Sequence, residues 1–269
     1  MSFALVGAGC VSGCFVAQLP RLTSELGPVA AQSFRLASRI VNSIGAGRPV
    51  KTYQDLARNK TILLSVPTRS LPDIVGALSR SVQWKGKIAL LCGGGGDSRH
   101  LQPLRSLGAA TGSMRLIAGL DDGKRFIVEG APPAVREARR LAKQLHGRLE
   151  EVHTVHIDAY SAGLAFGTTL FTPLLEASVQ SLVASGMKKA NAIKISEGLF
   201  QRSLRAYMHT GKRSWNGPLA DGDREAVLRG LEALGASRPL LARYYRDASA
   251  FALELFGDNP ALVDALRAK

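Results

Sequence analysis

In the first half of the chain, short apolar runs alternate with segments of helical periodicity. The helical segments include Leu71–Ser81 and Pro133–His146, and the second has proline at its first turn, where it is favoured. Apolar strands alternating with helices are typical of a parallel sheet covered on both faces, a doubly wound α/β domain. The predicted strands are SFALVG (2–7), SFRLAS (33–38), TILLSV (61–66), KIALLC (87–92) and RFIVE (125–129).

Beyond about Ile157 the strand signals stop and only helical patterns follow. Asp221 or Asp223 is available to cap the third of four predicted helices. We therefore predict a dinucleotide-binding domain over residues 1–155 and an all-helical domain over residues 156–269. The predicted helices are 159–185, 188–210, 223–234 and 238–256, and the glycines that end them are Gly186, Gly211, Gly235 and Gly257.

The first predicted strand runs into the turn Gly7-Ala8-Gly9-Cys10-Val11-Ser12. Gly7 permits a tight turn, Gly9 lets the backbone approach a pyrophosphate, and Ser12 is small enough for helix–strand packing. The helix that begins near Cys10 directs its free amides at the phosphates. Because the motif lies between a strand and a helix, it predicts a nicotinamide dinucleotide site. A ligand-free turn, a methyltransferase site and a flavin site are the alternatives.

The end of the second predicted strand distinguishes NADP from NAD. An NAD site places an acidic residue there to bind the ribose hydroxyls, whereas this sequence reads Ala37-Ser38-Arg39-Ile40. A hydroxyl and a guanidinium suit a ribose 2′-phosphate. Ser38 and Arg39 are therefore predicted to select NADP(H), with a solvated arginine as the alternative.

A second glycine cluster, Cys92-Gly93-Gly94-Gly95-Gly96-Asp97, follows another predicted strand. It lacks the lysine and hydroxyl of a phosphate-binding P-loop. Ligands of doubly wound sheets bind at the carboxyl ends of the strands, so Cys92, Gly93 and Gly94 are candidates for the substrate pocket. A flexible connection is the alternative. His153 and His156 have metal-ligand spacing without a visible third ligand, so no metal site is predicted.

Composition narrows the class of protein. The 269 residues include 35 basic and 21 acidic side chains, a formal charge of +14 that attracts anionic ligands. The basic residues are scattered, which disfavours specific nucleic-acid binding. Three cysteines without framework spacing argue against a disulfide scaffold. No export signal is evident, and the apolar stretch 160–175 is too short to span a bilayer. We therefore expect a cytoplasmic protein that is not in a membrane.

The glycine turn, Ser38-Arg39, Ser65-Val66-Pro67 and the pair Gly217-Pro218 with Gly222-Asp223 resemble a bacterial family of unknown function. That family is related to pyrroline-5-carboxylate reductases and deazaflavin-dependent NADP oxidoreductases. The resemblance implies a Rossmann-like NADP-binding domain, with Ser65, Val66 and Pro67 at the cofactor, and a helical domain like the C-terminal domain of 6-phosphogluconate dehydrogenase.

This sequence departs from the family's pattern at its histidines. Where members usually read HPLQ it reads SMRLI (113–117), and where they read YHAA it has Tyr160-Ser161-Ala162-Gly163. The arginine of ARGD is also replaced, in Ala220-Asp221-Gly222-Asp223. These histidines are the family's most plausible proton-handling groups.

The sequence thus favours an oxidoreductase that transfers hydride between NADP(H) and a small anionic substrate. Tyr160 is the candidate proton donor and Arg115 the candidate ligand of a substrate carboxylate. The alternative is a non-catalytic NADP(H)-binding sensor or scaffold, and a nucleic-acid-binding protein is a third reading. The apolar stretch Ala159–Leu175 covers most of a helix circumference, which predicts burial in a homodimer. Interleaved helical domains are also what the resemblance implies.

Overall fold

The computed structural model describes residues 2–7, 24–93, 96–117, 124–257 and 259–268. The chain divides into two compact units, Met1–Ala162 and Gly163–Lys269. The predicted turn residues Ala8, Gly9, Cys10, Val11 and Ser12 lie outside the described residues, as does Gly94.

The first unit is built on one sheet whose described strands have the order β3-β2-β1-β4-β5-β6-β7-β8. Neighbouring strands are parallel except β6 and β7, which are antiparallel. The strands are β1 (Phe3–Gly7), β2 (Leu26–Ala30), β3 (Arg48–Pro49), β4 (Thr61–Ser65), β5 (Ile88–Cys92), β6 (Ala110–Ile117), β7 (Arg125–Gly130) and β8 (Arg148–Glu151). The helices of this unit are α1 (Phe34–Ile44), α2 (Leu71–Ser81), α3 (Gln102–Ser106) and α4 (Pro132–Gln144).

Apolar side chains on both faces of the sheet are buried. Along β1, Phe3 and Leu5 enter one core cluster together with residues of α1 and α4. Ala4 and Val6 enter the other cluster, with residues of α2 and α3. Successive side chains of a strand point to opposite faces, so a strand with both faces covered must be apolar throughout. This is the reason that the apolar runs of the sequence predicted a doubly wound sheet.

The strand predicted over residues 33–38 is wrong, because this segment is the first part of helix α1. Ser33 is the N-cap, with its Oγ accepting a hydrogen bond from Leu36 N at 3.2 Å, and Gly45 ends the helix in a left-handed conformation. The second strand is β2, which the sequence analysis did not predict. Its Gly27 and Pro28 are residues that usually interrupt strands, and the register with β1 shifts between Phe3 and Leu5.

The helix predicted near Cys10 lies outside the described residues; the other predicted elements of this unit are present, with two differences in the sheet. The strand predicted at 125–129 is β7, which runs antiparallel to β6 rather than continuing the parallel pattern. Strands β3, β6 and β8 were not predicted. β3 has two residues and β8 reads RLEE, so neither carries an apolar run.

The second unit is helical. The helix predicted over residues 159–185 is divided by residues 168–170 into two helices. Asp223 is the N-cap of its helix, with Oδ1 accepting from Ala226 N at 3.0 Å. Gly235 does not end that helix, which continues to Ser237. The helices are α5 (Ile157–Gly167), α6 (Phe171–Ala184), α7 (Lys189–Thr210), α8 (Arg224–Ser237), α9 (Pro239–Phe256) and the unpredicted α10 (Pro260–Arg267); α5 begins in the first unit.

The core of the second unit lies among α8, α9 and α10, around Val227, Leu253 and Leu266. Helices α5 and α6 instead leave four large apolar side chains exposed, those of Leu164, Phe166, Phe171 and Leu174. By length and composition alone, Thr154–Ala184 is long and apolar enough to cross a membrane. In its most apolar 18-residue window, 6% is buried. The prediction from the sequence concerned only the shorter stretch 160–175. The described backbone divides this segment into α5 and α6.

Candidate functional site

The order of the strands creates a crevice between β1 and β4. The chain proceeds from β1 outward to β2 and β3, then returns to place β4 on the other side of β1. Gly7 and Ser65, the last residues of these two strands, are paired in register. Ligands of doubly wound sheets bind at such a point, outside the carboxyl ends of the strands. The glycine turn starts at Gly7, so the topology places its first residue at this crevice.

Three polar residues occupy the carboxyl end of β2, where a dinucleotide fold contacts the adenosine ribose. Gln32 and Ser33 follow the strand, and Arg35 is the second residue of α1; all three are exposed. No acidic residue occurs between Leu26 and Ile44. This end of the sheet therefore presents a helix N-terminus, a hydroxyl and a guanidinium without a carboxylate from the strand.

Ser38 and Arg39 lie within α1 and not at a strand end. Ser38 Oγ donates to the carbonyl oxygen of Phe34 at 2.9 Å, an intrahelical bond, and Arg39 is exposed one turn beyond Arg35. Ser38 and Arg39 were predicted to select NADP(H) from the end of a strand, and that prediction is wrong about their position. The serine and arginine that follow the end of β2 are Ser33 and Arg35.

A cavity of about 310 Å³ opens beside the end of β2. Lys51 belongs to its lining and places Nζ 6.0 Å from the ring centroid of Phe34, a cation–π distance. Burial raises the pKa of Tyr53, which also lines the cavity. Its one carboxylate among the lining residues, Asp73, comes from the first turn of α2 and not from β2. The other lining residues are Ala31, Gln32, Thr52, Ile74 and Ala77.

The site residues predicted at the ends of β4 and β5 differ in how far they are exposed. Ser65 and Val66 are buried, and Pro67 is half-buried and precedes a short 3₁₀ turn. The Cys92 side chain is 1% exposed and packs in the core with Met114, so only its backbone could line a pocket. Gly93 has φ of 81°, a left-handed conformation that favours glycine.

A buried carboxylate organises the far side of this sheet edge. Glu129 of β7 is fully buried, and its two oxygens accept four hydrogen bonds at 2.6–2.7 Å. The donors are Ser98 N and Oγ after β5, Ser113 Oγ of β6, and Thr154 Oγ1 before α5. One side chain thus joins three segments that are distant in sequence. Buried carboxylates require such bonds, because burial removes their hydration.

Arg99 forms a second junction nearby. Its guanidinium donates to both oxygens of Asp97 and to both oxygens of Asp158, at 2.6–3.0 Å. These hydrogen bonds from Arg99 hold the pKa of both carboxyls below their usual range. Asp158 is in the first turn of α5, so this junction ties the segment after β5 to the start of that helix.

Arg115 and Tyr160, the two residues predicted to act on the substrate, both lie in the first unit. Arg115 lies on β6 and donates from Nη2 to the carbonyl oxygen of Gly96 at 2.8 Å. Burial raises the pKa of Tyr160, and the positive charge of Arg115 opposes this rise. The Tyr160 hydroxyl is therefore protonated at neutral pH and can donate a proton.

His153 and His156 are exposed, with ring centroids 6.3 Å apart in an edge-to-face arrangement. Among the described residues no group of three or more His, Cys, Asp or Glu side chains could hold a metal ion.

Comparison with known proteins adds a partial family match. Residues 125–251, from β7 through most of α9, match a family model described as a domain of unknown function (DUF2520). The matched region includes Glu129 and Tyr160, but not the glycine turn. A comparison with curated proteins finds no significant match.

Solved structures resemble the whole chain. Protein TM1727 from Thermotoga maritima is 14% identical, with a TM-score of 0.69 over 98% of this chain and 99% of that one. An imine reductase from Myxococcus stipitatus in complex with NADP⁺ is 16% identical, with a TM-score of 0.65 over 99% of both chains. Its V8 variant in complex with NAD⁺ is 15% identical, with a TM-score of 0.64 over 98% of both chains. At these identities the likeness establishes the fold: a Rossmann-like N-terminal domain joined to a helical C-terminal domain, as the sequence predicted.

Ser33, Arg35 and Glu129 were not among the residues predicted from the sequence. The signal for the first two was present, because Ala37, Ile40, Val41 and Ile44 have helical spacing and Gly45 follows them. Interpreted as a helix, that segment has Ser33 as its predicted N-cap. Nothing comparable marked Glu129, since its donors come from segments far apart in the sequence.

Proposed function

We propose that this protein is an NADP(H)-dependent oxidoreductase that acts on a small anionic substrate. The observation that carries the proposal is the carboxyl end of β2, where Ser33 and Arg35 begin α1 with no acidic residue beside them. This end lies next to the β1–β4 crevice where the fold places a dinucleotide.

The proposed contacts to the 2′-phosphate follow from the charges at this site. The N-terminus of the 11-residue helix α1 carries free amides and a positive partial charge, both of which favour a bound anion. Arg35 is exposed in the first turn and can present its planar fork to phosphate oxygens. Lys51, on the lining of the neighbouring cavity, adds a second positive charge.

The fold alone does not choose the cofactor, since similar structures were solved with NADP⁺ and, in a variant, with NAD⁺. The choice must come from side chains. A strand-end carboxylate would accept bonds from free ribose hydroxyls and repel a 2′-phosphate, and here no such carboxylate is present. This difference favours NADP(H).

The chemistry proposed for the site is hydride transfer, for which a bound nicotinamide supplies the hydride. The hydride would add to the carbon of a C=N or C=O bond, and the nitrogen or oxygen would take a proton. Tyr160 is the proposed donor of that proton from Oη: its hydroxyl is protonated at neutral pH, and the positive charge of Arg115 opposes the rise that burial gives its pKa. The net charge of +14 attracts an anionic substrate as well as the cofactor.

Titration of NADPH and NADH, followed by the fluorescence of the reduced nicotinamide, tests the proposal. Wild type should prefer NADPH, and Arg35→Gln should weaken NADPH binding by about tenfold to hundredfold, the equivalent of roughly 1.5–3 kcal/mol for bonds to a charged group. NADH binding should stay within about twofold. Arg39→Gln is the matched control, since it removes the same charge from the same helix.

Equal affinities for the two cofactors in wild type would overturn the NADP assignment. Loss of NADPH affinity in Arg39→Gln alone would show that Arg39, and not Arg35, binds the 2′-phosphate. NADPH turnover with imines and keto acids then tests catalysis. Tight NADPH binding without turnover across that panel would favour the non-catalytic sensor instead.

A further inference from the structure

Arg115 occupies an edge of the sheet that the cofactor contacts proposed above leave free. Strand β6 is parallel to β5, so its carboxyl end, which carries Arg115, lies at the same edge of the sheet as Gly7 and Ser65. Ser113 and Arg115 are two residues apart and share one face of β6. On that face Ser113 contacts Glu129, and Arg115 contacts Gly96.

The guanidinium of Arg115 is poorly compensated. Its Nη2 donates to the neutral carbonyl oxygen of Gly96 at 2.8 Å, and its Nε is buried with no acceptor in the described part of the chain. A charged group that is desolvated in this way is destabilised unless a counter-charge approaches it. The contact with Gly96 orients the side chain but does not neutralise it.

The surrounding carboxylates are already engaged. Asp97 and Asp158 both accept from Arg99, and Glu129 accepts from Ser98, Ser113 and Thr154. Arg115 makes no ion pair among the described residues, although Gly96, which it contacts, directly precedes Asp97. Among the described residues, Arg99 is thus paired with two carboxylates and Arg115 with none.

Tyr160 completes the arrangement. It is half-buried near the start of α5, and the positive charge of Arg115 opposes the rise that burial gives its pKa. Arg99 ties Asp158, two residues earlier, to Asp97, which directly follows the Gly96 that Arg115 contacts. A substrate anion bound by Arg115 would thus lie near a protonated phenol. This combination suits a molecule that has a negative group beside a bond to be reduced.

We propose that Arg115 binds a carboxylate of the substrate, which makes the substrate an imino or keto acid. The inference rests on the oxidoreductase function proposed above and specifies its substrate class. The carbon of the C=N or C=O bond next to the carboxylate would receive the hydride that bound NADPH supplies, and the heteroatom would take the Tyr160 proton, which solvent then replaces. The products would be an amino or hydroxy acid and NADP⁺. Arg115 holds the carboxylate throughout and undergoes no chemical change.

Trifluoroacetate, followed by the width of its ¹⁹F resonance, is a probe that reports carboxylate binding without turnover. It is titrated against the full-length protein with and without NADP⁺. Wild type should show saturable broadening, and Arg115→Gln should weaken binding by about tenfold, as expected for the loss of a bond between charged groups. Arg115→Lys should fall between the two, because it keeps the charge and loses the fork.

Arg105→Gln is the control for net charge, since Arg105 is exposed on α3 and has no role in the proposed site. It should bind trifluoroacetate like wild type. Thermal unfolding followed by circular dichroism establishes that each variant is folded. Unaltered binding by folded Arg115→Gln, or no saturable binding by wild type, would overturn the proposal; if Arg115→Gln does not fold, Arg115→Lys decides in the same way.

A second measurement separates this inference from the function on which it rests. The rate of NADPH oxidation is compared for keto acids and for their methyl esters. Methylamine is present so that the keto group can form a C=N bond. We expect kcat/KM to be about tenfold higher for the acid, and Arg115→Gln to remove this difference. If wild type binds no NADPH, the oxidoreductase function fails while trifluoroacetate still reports on Arg115. If wild type reduces acid and ester equally, the function stands and the role of Arg115 is wrong.

Discussion

Gly7 and Ile40 approach each other so closely that a Cβ atom on Gly7 would lie 2.6 Å from Ile40 Cδ1. Gly7 ends β1 and Ile40 belongs to α1, with its side chain 2% exposed. The first glycine of the predicted turn thus has a packing function. Helix α1 can rest on the end of β1 because position 7 has no side chain.

We predict that Gly7→Ala destabilises the protein by about 1–3 kcal/mol, the usual cost of overpacking a core. Ile40→Val removes the Cδ1 atom that clashes and should cost about 0.5–1.5 kcal/mol alone. The double variant should lose less stability than the two single variants lose in total, because the shorter side chain at position 40 leaves room for the new methyl group. Urea unfolding of the four proteins measures this coupling.

Gly235→Ala is the control for the same exchange at a site without neighbours. Gly235 is exposed inside α8, and a Cβ there would meet no atom within 4 Å. Alanine should stabilise this helix by about 0.5–1 kcal/mol. Additive effects of Gly7→Ala and Ile40→Val would show that the contact does not limit residue 7.

The Asp97–Arg99 pair should make stability depend on pH in the acid range. The hydrogen bond from Arg99 lowers the pKa of Asp97 below its ordinary value of 3.8. A carboxyl with a lowered folded-state pKa contributes stability above its unfolded-state pKa and loses it as the pH falls through the folded-state value. We expect Asp97→Asn to cost about 1–3 kcal/mol at pH 6 and clearly less near pH 2.5.

Urea unfolding at both pH values measures this difference. Asp158→Asn is the matched control, because Asp158 also binds Arg99 but its side chain is 75% exposed, so solvent screens the pair. If the free energies of unfolding of wild type and Asp97→Asn differ by the same amount at both pH values, the prediction is contradicted.

Glu129→Gln should strongly destabilise the first unit. The amide keeps the size of the side chain but replaces one acceptor oxygen with a donor NH₂, which would face the hydroxyl and amide donors that now bind Glu129. We expect a loss of about 2–5 kcal/mol in the free energy of unfolding, since buried polar groups lose their partners.

Glu150→Gln makes the same exchange on β8, where the side chain is 60% exposed. It should change stability by less than about 0.5 kcal/mol. If the two variants unfold at the same urea concentration, the Glu129 network contributes little.

We propose that the exposed apolar side chains of α5, α6 and the turn between them are covered by a second copy of the chain. Phe166, Leu170 and Leu174 are 59%, 50% and 40% exposed and line a groove of about 860 Å³ with residues of α9. Such a surface on a monomer would be unusually apolar. Sedimentation should show a dimer at micromolar concentration, and Phe166→Asp with Leu170→Asp should shift it toward monomer.

Val155→Asp is the control, because Val155 is 80% exposed in the first unit. A membrane is the other partner that would cover Thr154–Ala184, which has the length and composition of a membrane span. Flotation with phospholipid vesicles tests this alternative. A wild-type monomer, or a protein that floats with the vesicles, would contradict dimer formation as the reason for the apolar surface.

The sequence by itself determined the fold class of this protein and most of its elements. The runs at β1, β4, β5 and β7 were recognisable because a strand buried on both faces must be apolar throughout. The long helices were recognisable from their periodicity and their caps, of which Asp223 is one. Both signals are local, so they do not depend on contacts with distant residues.

Only the tertiary structure decided which residues meet at the site. The segment 33–38 satisfied a strand pattern in isolation, but packing of Ala37 and Ile40 on the sheet makes it a helix and assigns β2 to a stretch with glycine and proline. This change moved the cofactor-selecting positions from Ser38 and Arg39 to Ser33 and Arg35. Glu129 and Arg115 acquire their surroundings from β5, β6 and the segment before α5. Contacts between residues so far apart in the chain leave no local pattern, because only folding brings them together.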